Sequence, residues 1–344
     1  MRFLPSSRKE WKRLMVHLAI IVGALAAIVA VFYMICVAMP GRSFRGPLPV
    51  QTDAAQALEL RLMGHVRTLA ETIGERNQCA YAGLNAARDH IAKVFREAGC
   101  EPRLQTFTAA GTEFANIVAE IPGREPGLPA IVVGAHYDTA PGTPGADDNA
   151  TGVAALLEIA HALKGAALRH IVRCVAFPNE EPPFFYTEDM GSYRYARACR
   201  EQNEVLAGVY ILESLGYYTD APGSQTYPVK FLSYFYPDKG NYIAFVGNLA
   251  SRGLTRATTG AFRRLAQFPS EGIASPEWVR GISFSDHWSF WQNGYQAIMI
   301  TDIPILRNPH YHTAGDTPAI IDPDRFARVT EGIIAVIRAA AEQE

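Results

Sequence analysis

Residues 130–152, AIVVGAHYDTAPGTPGADDNATG, decide how the rest of the chain is read. A short apolar run, AIVV, leads into His136 and Asp138. A loop rich in Pro and Gly follows, and then two adjacent acids, Asp147 and Asp148. A continuous apolar run bounded by turn residues reads as a strand buried on both faces, as in the parallel sheets of α/β proteins. In such sheets ligands bind beyond the carboxyl ends of the strands. His136 and Asp138 are two residues apart, so in extended chain they point the same way.

The flanking text fits that reading. Residues 54–76 carry an apolar stripe (Leu58, Leu60, Leu62, Val66, Leu69, Ile73) at helical spacing, and 82–98 predicts a second helix ended by Gly99. Strands are expected at 103–108 and 114–121, a helix at 152–163, a strand at 170–177, a helix at 191–202 and a strand at 206–212. Later strand candidates are 229–234 and 295–301. Asp322 as N-cap and Pro323 at the first helical position open a helix that runs to the end. Alternating strands and helices give an α/β fold, a mixed, mostly parallel central sheet with helices on both faces. With no repeat and no second linker, residues 54–344 read as one domain.

The chain has 344 residues and a formal net charge of −2, too neutral to suggest nucleic acid as partner. The amino end differs. Residues 2–13 hold Arg2, Arg8, Lys9, Lys12 and Arg13 against Glu10, and 14–39 is apolar apart from His17. That run exceeds the roughly 20 residues needed to span a bilayer. It is also longer than the ~7–15 apolar residues of a cleaved signal peptide. The basic flank before it places residues 1–13 in the cytoplasm. Residues 14–39 are then a single-pass transmembrane helix and 40–53 a linker, with the remaining domain periplasmic or extracellular. The bland alternative is a buried helix of a soluble protein. Of five cysteines, Cys79, Cys100, Cys174 and Cys199 follow the apolar run, in a spacing that suggests neither a disulfide framework nor a Cys-ligated metal.

The polar residues at strand ends carry the chemistry. His136 and Asp138 follow one strand, Glu180 and Glu181 a second, Glu213 a third, and HYHTAGDT (310–317) comes after the strand ending at Thr301. Singly, each has an ordinary reading: a surface histidine, a helix cap, an exposed acidic loop. Together they would place several carboxylates and imidazoles in one cleft, where like charges repel unless divalent cations intervene. Asp148, Glu181 and Glu213 supply three negative charges, close to a balance with two Zn²⁺ ions, and mixed His and carboxylate donors suit zinc. Asp138 is spaced to accept the second imidazole N–H of His136. Pro182-Pro183 stops the strand from continuing, so Glu180 and Glu181 can serve one site, one binding metal and its neighbour handling protons.

These residues resemble the bacterial leucine-aminopeptidase type of di-zinc exopeptidase, a family that also contains glutaminyl cyclases and the transferrin-receptor ectodomain. The resemblance runs from about Leu62 to the C-terminus through HYD (136–138), DDNATG (147–152), NEE (179–181), LESLGY (212–217), SDHWSF (285–290) and YHTAGDT (311–317). It implies a zinc-exopeptidase fold in which Asp148 bridges two zinc ions. His136 and Glu213 complete one site, and Glu181 and His312 the other. It implies Glu180 as general base, Asp138 behind His136 and no metal-binding role for Asp147, and it ranks His310, outside the motif position, below His312. The chain departs from the family in having Glu213 where Asp is more common, and in PPFFYTEDMGS (182–192) in place of a short Gly-rich turn. Residues 217–284 give little to match.

The implied activity is release of the N-terminal residue from peptides with a free N-terminus, by an activated water with Glu180 as base and Tyr311 as a further hydrogen-bond donor. Two other readings compete. A glutaminyl cyclase would perform intramolecular attack and typically relies on one zinc. A non-catalytic receptor-like ectodomain would have lost its ligands, whereas every ligand position here is filled. Oligomeric state is not legible.

Overall fold

A computed structural model describes residues 7–125 and 127–343; Arg2, counted in the basic amino end, lies outside the described residues. The described chain forms two compact units, one up to Ala38 and one from Met39 onward. In the first, helix α1 (Arg8–Phe32) continues as a wider helical turn, Tyr33–Val37. Its start is closed by a capping box: Ser7 Oγ accepts from the Glu10 amide and the Glu10 carboxylate accepts from the Ser7 amide. This helix is long and apolar enough to cross a membrane.

The second unit is an eight-stranded sheet: β1 (Arg103–Ala109), β2 (Thr112–Ile121), β3 (Ala130–His136), β4 (Val172–Phe177), β5 (Leu206–Glu213), β6 (Ile243–Gly247), β7 (Ser270–Ala274) and β8 (Ala297–Thr301). The spatial order is β1-β2-β4-β3-β5-β8-β6-β7. The central strands β4, β3, β5 and β8 are parallel neighbours. β1 and β2 join them antiparallel on one side, and β6 is antiparallel to β8 on the other. The sheet is therefore mixed and mostly parallel.

Helices cover both faces. Helices α2 (Asp53–Arg67), α3 (Tyr81–Glu97), α4 (Gly152–Leu163), α6 (Arg252–Leu265) and α9 (Pro323–Glu342) share one core with Ile131, Val133 and Ala135 of β3. Helices α5 (Gly191–Glu201) and α7 (His287–Gln292) share the other with Val132. That alternation along β3, every residue of which is buried, is why the strand shows no polar positions. A four-residue helix, α8 (Pro304–Arg307), follows β8.

Two expectations are corrected. The candidate at 229–234 is not a strand: Lys230–Tyr234 is a helical turn with only Leu232 buried, so its apolar residues serve a surface turn. Leu60 leaves the α2 stripe and is 74% exposed, whereas Leu58, Leu62 and Val66 are buried. The unmatched 217–284 region holds β6, α6 and β7, which complete the sheet edge. The segment read as a linker is pinned to the domain: Arg263 reaches the carbonyls of Met39, Pro40 and Gly41, and the Ser270 amide donates to Ser43 Oγ. All five cysteines are free thiols.

One glycine is fixed by close approach. A Cβ on Gly134 would lie 2.4 Å from Cε2 of Phe177, a fully buried ring. That ring is wedged against Tyr195 and Phe290, with centroids 5.9 and 6.1 Å away. Gly134→Ala is expected to cost about 1–3 kcal/mol by overpacking. Denaturant titration should show a lower midpoint at unchanged slope; an unmoved midpoint would mean the ring has room to shift.

Candidate metal centre

The sheet delivers its polar residues to one edge. His136 is the last residue of β3 and Glu213 the last of β5. After β4 the chain turns at Asn179 and presents Glu180 and Glu181, and beyond β8 another turn presents Tyr311 and His312. Asp148 comes from the irregular turn Ala146–Thr151 that leads into α4, where its φ and ψ are −108° and 91°. Asn179, Ser214 and His312 have φ of 64°, 48° and 56°. Each non-glycine residue in that region costs on the order of 1 kcal/mol. Each also lies at or beside a candidate donor, so the backbone is bent where donors must converge.

The donors form two groups that share one residue. Nε2 of His136 is 3.1 Å from Asp148 Oδ1 and 3.3 Å from Glu213 Oε2. Nε2 of His312 is 3.1 Å from both Asp148 Oδ2 and Glu181 Oε1. Asp148 thus turns one oxygen to each group, and within each group the ligand atoms lie within 4.8 Å of one another. His136 Nε2, Asp148 Oδ1 and Glu181 Oε1 are buried without a hydrogen-bond partner among the described residues. Buried polar atoms are nearly always satisfied, so three orphans facing common points fit bound cations. One imidazole with two carboxylates in each group suits zinc.

Electrostatics point the same way. Burial, and then neighbouring Glu181, Glu213 and Asp286, push the Glu180 carboxyl well above its ordinary range, with His136 opposing. Burial, then Asp148, raises Glu181 to about 7 against the pull of His312. Burial would lower His312, but its contacts with Asp148 and Glu181 win and hold it at about 10. Burial would also raise Asp148, yet the imidazoles of His136 and His312, each 3.1 Å from one of its oxygens, keep it below the ordinary range. Burial thus pushes Glu180 and Glu181 toward the protonated form, while the two imidazoles hold Asp148 the other way.

Comparison with known proteins decides the family. The sequence pattern of peptidase family M28 matches residues 116–337. An uncharacterized protein of Escherichia coli, YfbL, is 38% identical over 280 residues, covering 79% of this chain and 85% of that one. The chain belongs to peptidase family M28. A probable leucine aminopeptidase 1 of Trichophyton verrucosum is 28% identical over 241 residues, 66% of this chain and 58% of that protein's length. Among solved structures, a zinc aminopeptidase from Bacillus subtilis (TM-score 0.62, 16% identity) covers 87% of this chain and 97% of its own. A Fimbriiglobus ruber glutaminyl cyclase (TM-score 0.61, 19% identity) covers 89% and 100%. At these identities both show the fold alone.

In this M28 chain each donor has a support. Asp138 accepts from the amides of Glu180 (3.2 Å) and Glu181 (3.1 Å) and lies 3.5 Å from Nδ1 of His136, whose shorter contact is the Asp138 carbonyl at 3.2 Å. The carboxylate expected to orient the imidazole therefore also fixes the Glu180-Glu181 turn. Ser285 donates to Glu213 at 2.7 Å. His310 stands outside both donor groups, and so does Asp147, which accepts from the Gly216 amide and Asn308.

Sequence reasoning assigned no role to several supports. Asp316 accepts from the amides of Asp147 (2.8 Å) and Asp148 (3.1 Å), so the loop carrying His312 also holds Asp148 in place. Asn149 donates to the Leu212 carbonyl and accepts from the Ser214 and Gly152 amides, tying Asp148 to Glu213. Asp316, Asn149 and Ser285 stood inside quoted motifs; Arg76 had no signal. Its fully buried guanidinium donates to the carbonyls of Leu69, Gly74, Tyr137, Pro144 and Gly145, closing the loop between His136 and Asp148. Burial lowers its pKa to about 10 against the charges of Asp316, Asp138 and Asp148, so it remains a cation.

Two outcomes follow from this geometry. Arg76→Met should destabilise the domain by about 3–5 kcal/mol, because carbonyls and buried acids lose their counter-charge. Unfolding titration checks this, and a loss under 1 kcal/mol would contradict it. Separately, His312 is protonated at pH 7 without cations, whereas a bound cation needs the neutral ring. Zinc uptake should therefore release protons, and affinity should rise with pH towards 10. Calorimetry in two buffers of different ionisation enthalpy reads that release, and identical heats would count against it.

Proposed function

We propose that the chain is a membrane-anchored, zinc-dependent aminopeptidase. On this reading residues 1–13 are a cytoplasmic basic end, 14–39 a transmembrane helix, 40–53 a linker and 54–344 the peptidase domain, periplasmic or extracellular. The apolar helix and the basic residues before it support the topology. The observation that carries the activity is a pair of donor groups sharing Asp148, beside a buried carboxylate, Glu180, that belongs to neither.

His136 and Glu213 would hold one zinc, Glu181 and His312 the second, with Asp148 bridging. Two zinc ions held there would supply Lewis acidity, bringing the pKa of a water toward ~7 and polarising the scissile carbonyl. Glu180 takes the proton of that water and delivers it to the leaving amine. Its burial raises its proton affinity above that of a solvated carboxylate, which suits a base that must also return the proton. Tyr311 stays protonated, since burial and the charges of Asp148 and Glu181 raise it well above its ordinary value. Its hydroxyl is thus a donor for the developing oxyanion. Asp138 positions both His136 and the Glu180 turn.

An apolar cavity opens beside Glu213 and Tyr311, lined by Leu232, Val246, Ile282, Phe284, Met299 and Ile305. It receives the side chain of the first residue, while the surrounding carboxylates attract a free α-ammonium group. The fungal aminopeptidase relative supports this choice. The cyclase shares the fold equally well, so its reaction is the control.

Glu180→Gln should lower turnover about 100- to 10,000-fold while two zinc ions remain bound, read by metal analysis alongside hydrolysis of leucyl peptides. Full activity in that variant would sink the assignment. N-acetylated peptides should resist cleavage; cyclisation of N-terminal Gln with one bound zinc would favour the cyclase instead.

A further inference from the structure

Immediately after Glu181 the segment Pro182-Pro183-Phe184-Phe185-Tyr186 builds a second apolar feature, separate from the cavity. Phe185 and Tyr186 stack at 4.2 Å between centroids, and each meets Phe284 edge-on, at 5.8 and 6.0 Å. Tyr186 also lies 4.9 Å from Trp288, and its hydroxyl bonds Ser283 at 2.5 Å. The turn after Glu181 is thereby joined to the loop that carries Ser285, the partner of Glu213. Phe184 anchors the inner end, buried against Phe114 at 5.5 Å. Tyr186 is 37% exposed, and Phe185, Phe284 and Trp288 are half-buried. Four rings held this rigidly with accessible surface form a wall.

Its place decides what can lie on it. Only Phe284 also lines the cavity; Phe185, Tyr186 and Trp288 do not. The segment folds back on the Glu180 turn: the Phe184 amide donates to the Glu181 carbonyl at 3.0 Å and the Asn179 side-chain amide to the Asp189 carbonyl at 3.3 Å. On the aminopeptidase reading, on which this inference rests, Glu180 hands its proton to the leaving amine. The residue bearing that amine must therefore lie on the Glu180 side, next to Tyr186. We infer that the Phe185–Tyr186–Phe284–Trp288 wall receives the side chain of the second residue of the substrate. It makes the enzyme selective for peptides whose second residue is aromatic or large and apolar, independently of the first. Aromatic faces reward such contact, and an apolar subsite typically discriminates by about 10-fold or more.

The test compares Leu-Phe-amide with Leu-Gly-amide on the zinc-loaded full chain. The expected kcat/KM ratio is roughly 10, carried mainly by KM. Tyr186→Ala should bring the ratio close to one, and Tyr186→Phe should keep it, since the ring face rather than the hydroxyl does the binding. A wild-type ratio near one, or a ratio unmoved in Tyr186→Ala, overturns the inference. Loss in Tyr186→Phe as well would assign the effect to the Ser283 bond and overturn it too. Binding supplies a readout without turnover: uncleaved Leu-Phe-amide should bind zinc-loaded Glu180→Gln more tightly than Leu-Gly-amide, by calorimetry. Equal binding refutes the wall even if peptides are cleaved. Tight binding without any cleavage by the wild type would instead refute the aminopeptidase reading.

Discussion

The structure depends on keeping negative charge inside a buried strand-end cleft. Asp148 is almost fully buried, yet it is held ionised by two imidazoles, one on each oxygen. Around it Glu180, Glu181 and Glu213 are also buried and pushed toward the protonated form. A carboxylate cluster of this kind is unfavourable as a structural element. Cations held by the two donor groups would offset that repulsion.

Holding it open requires rigid partners outside the cluster. The supports are of two types. Backbone amides are caught by acids: Asp138 takes those of Glu180 and Glu181, Asp316 those of Asp147 and Asp148. Backbone carbonyls are caught by the Arg76 cation. Each support joins segments far apart in sequence, so the donors are braced against one another across the fold. Gly145 shows the tolerance of this packing. Its φ is 61°, and a Cβ there would lie 2.5 Å from the Asp148 carbonyl oxygen.

How much of this was legible depended on whether a residue's role was local. β3 was plain in the sequence because a strand covered on both faces has no polar positions. The α9 start was equally plain, since Asp322 caps its own helix by accepting from the Arg325 amide. β6 and β7 were missed because each is defined by its neighbours in the sheet more than by its own sequence. Residues 229–234 misled through apolar residues that serve a surface turn with Leu232 as its sole buried side chain. Candidate donors stood out as polar residues ending apolar runs. Their supports did not, because a buried Arg76 or Asp316 is recognisable only once the segments it joins are adjacent.

The neighbours Asp147 and Asp148 make that limit concrete. Both are buried acids in the same turn, and composition cannot tell them apart. Their fates separate through what faces them. Asp147 meets an amide, an amide side chain and the carboxyl of Asp302, which with burial raises its pKa far above the ordinary range. It is a structural acid, fastening Gly216 and Asn308 behind the site. Asp148, one residue on, points between two imidazoles and keeps its charge. The turn at Asp148 and Asn149, with its non-helical φ and ψ, turns the two side chains to these opposite surroundings. One acid therefore locks the loop while its neighbour joins the two donor groups, and the position of each depends on the other.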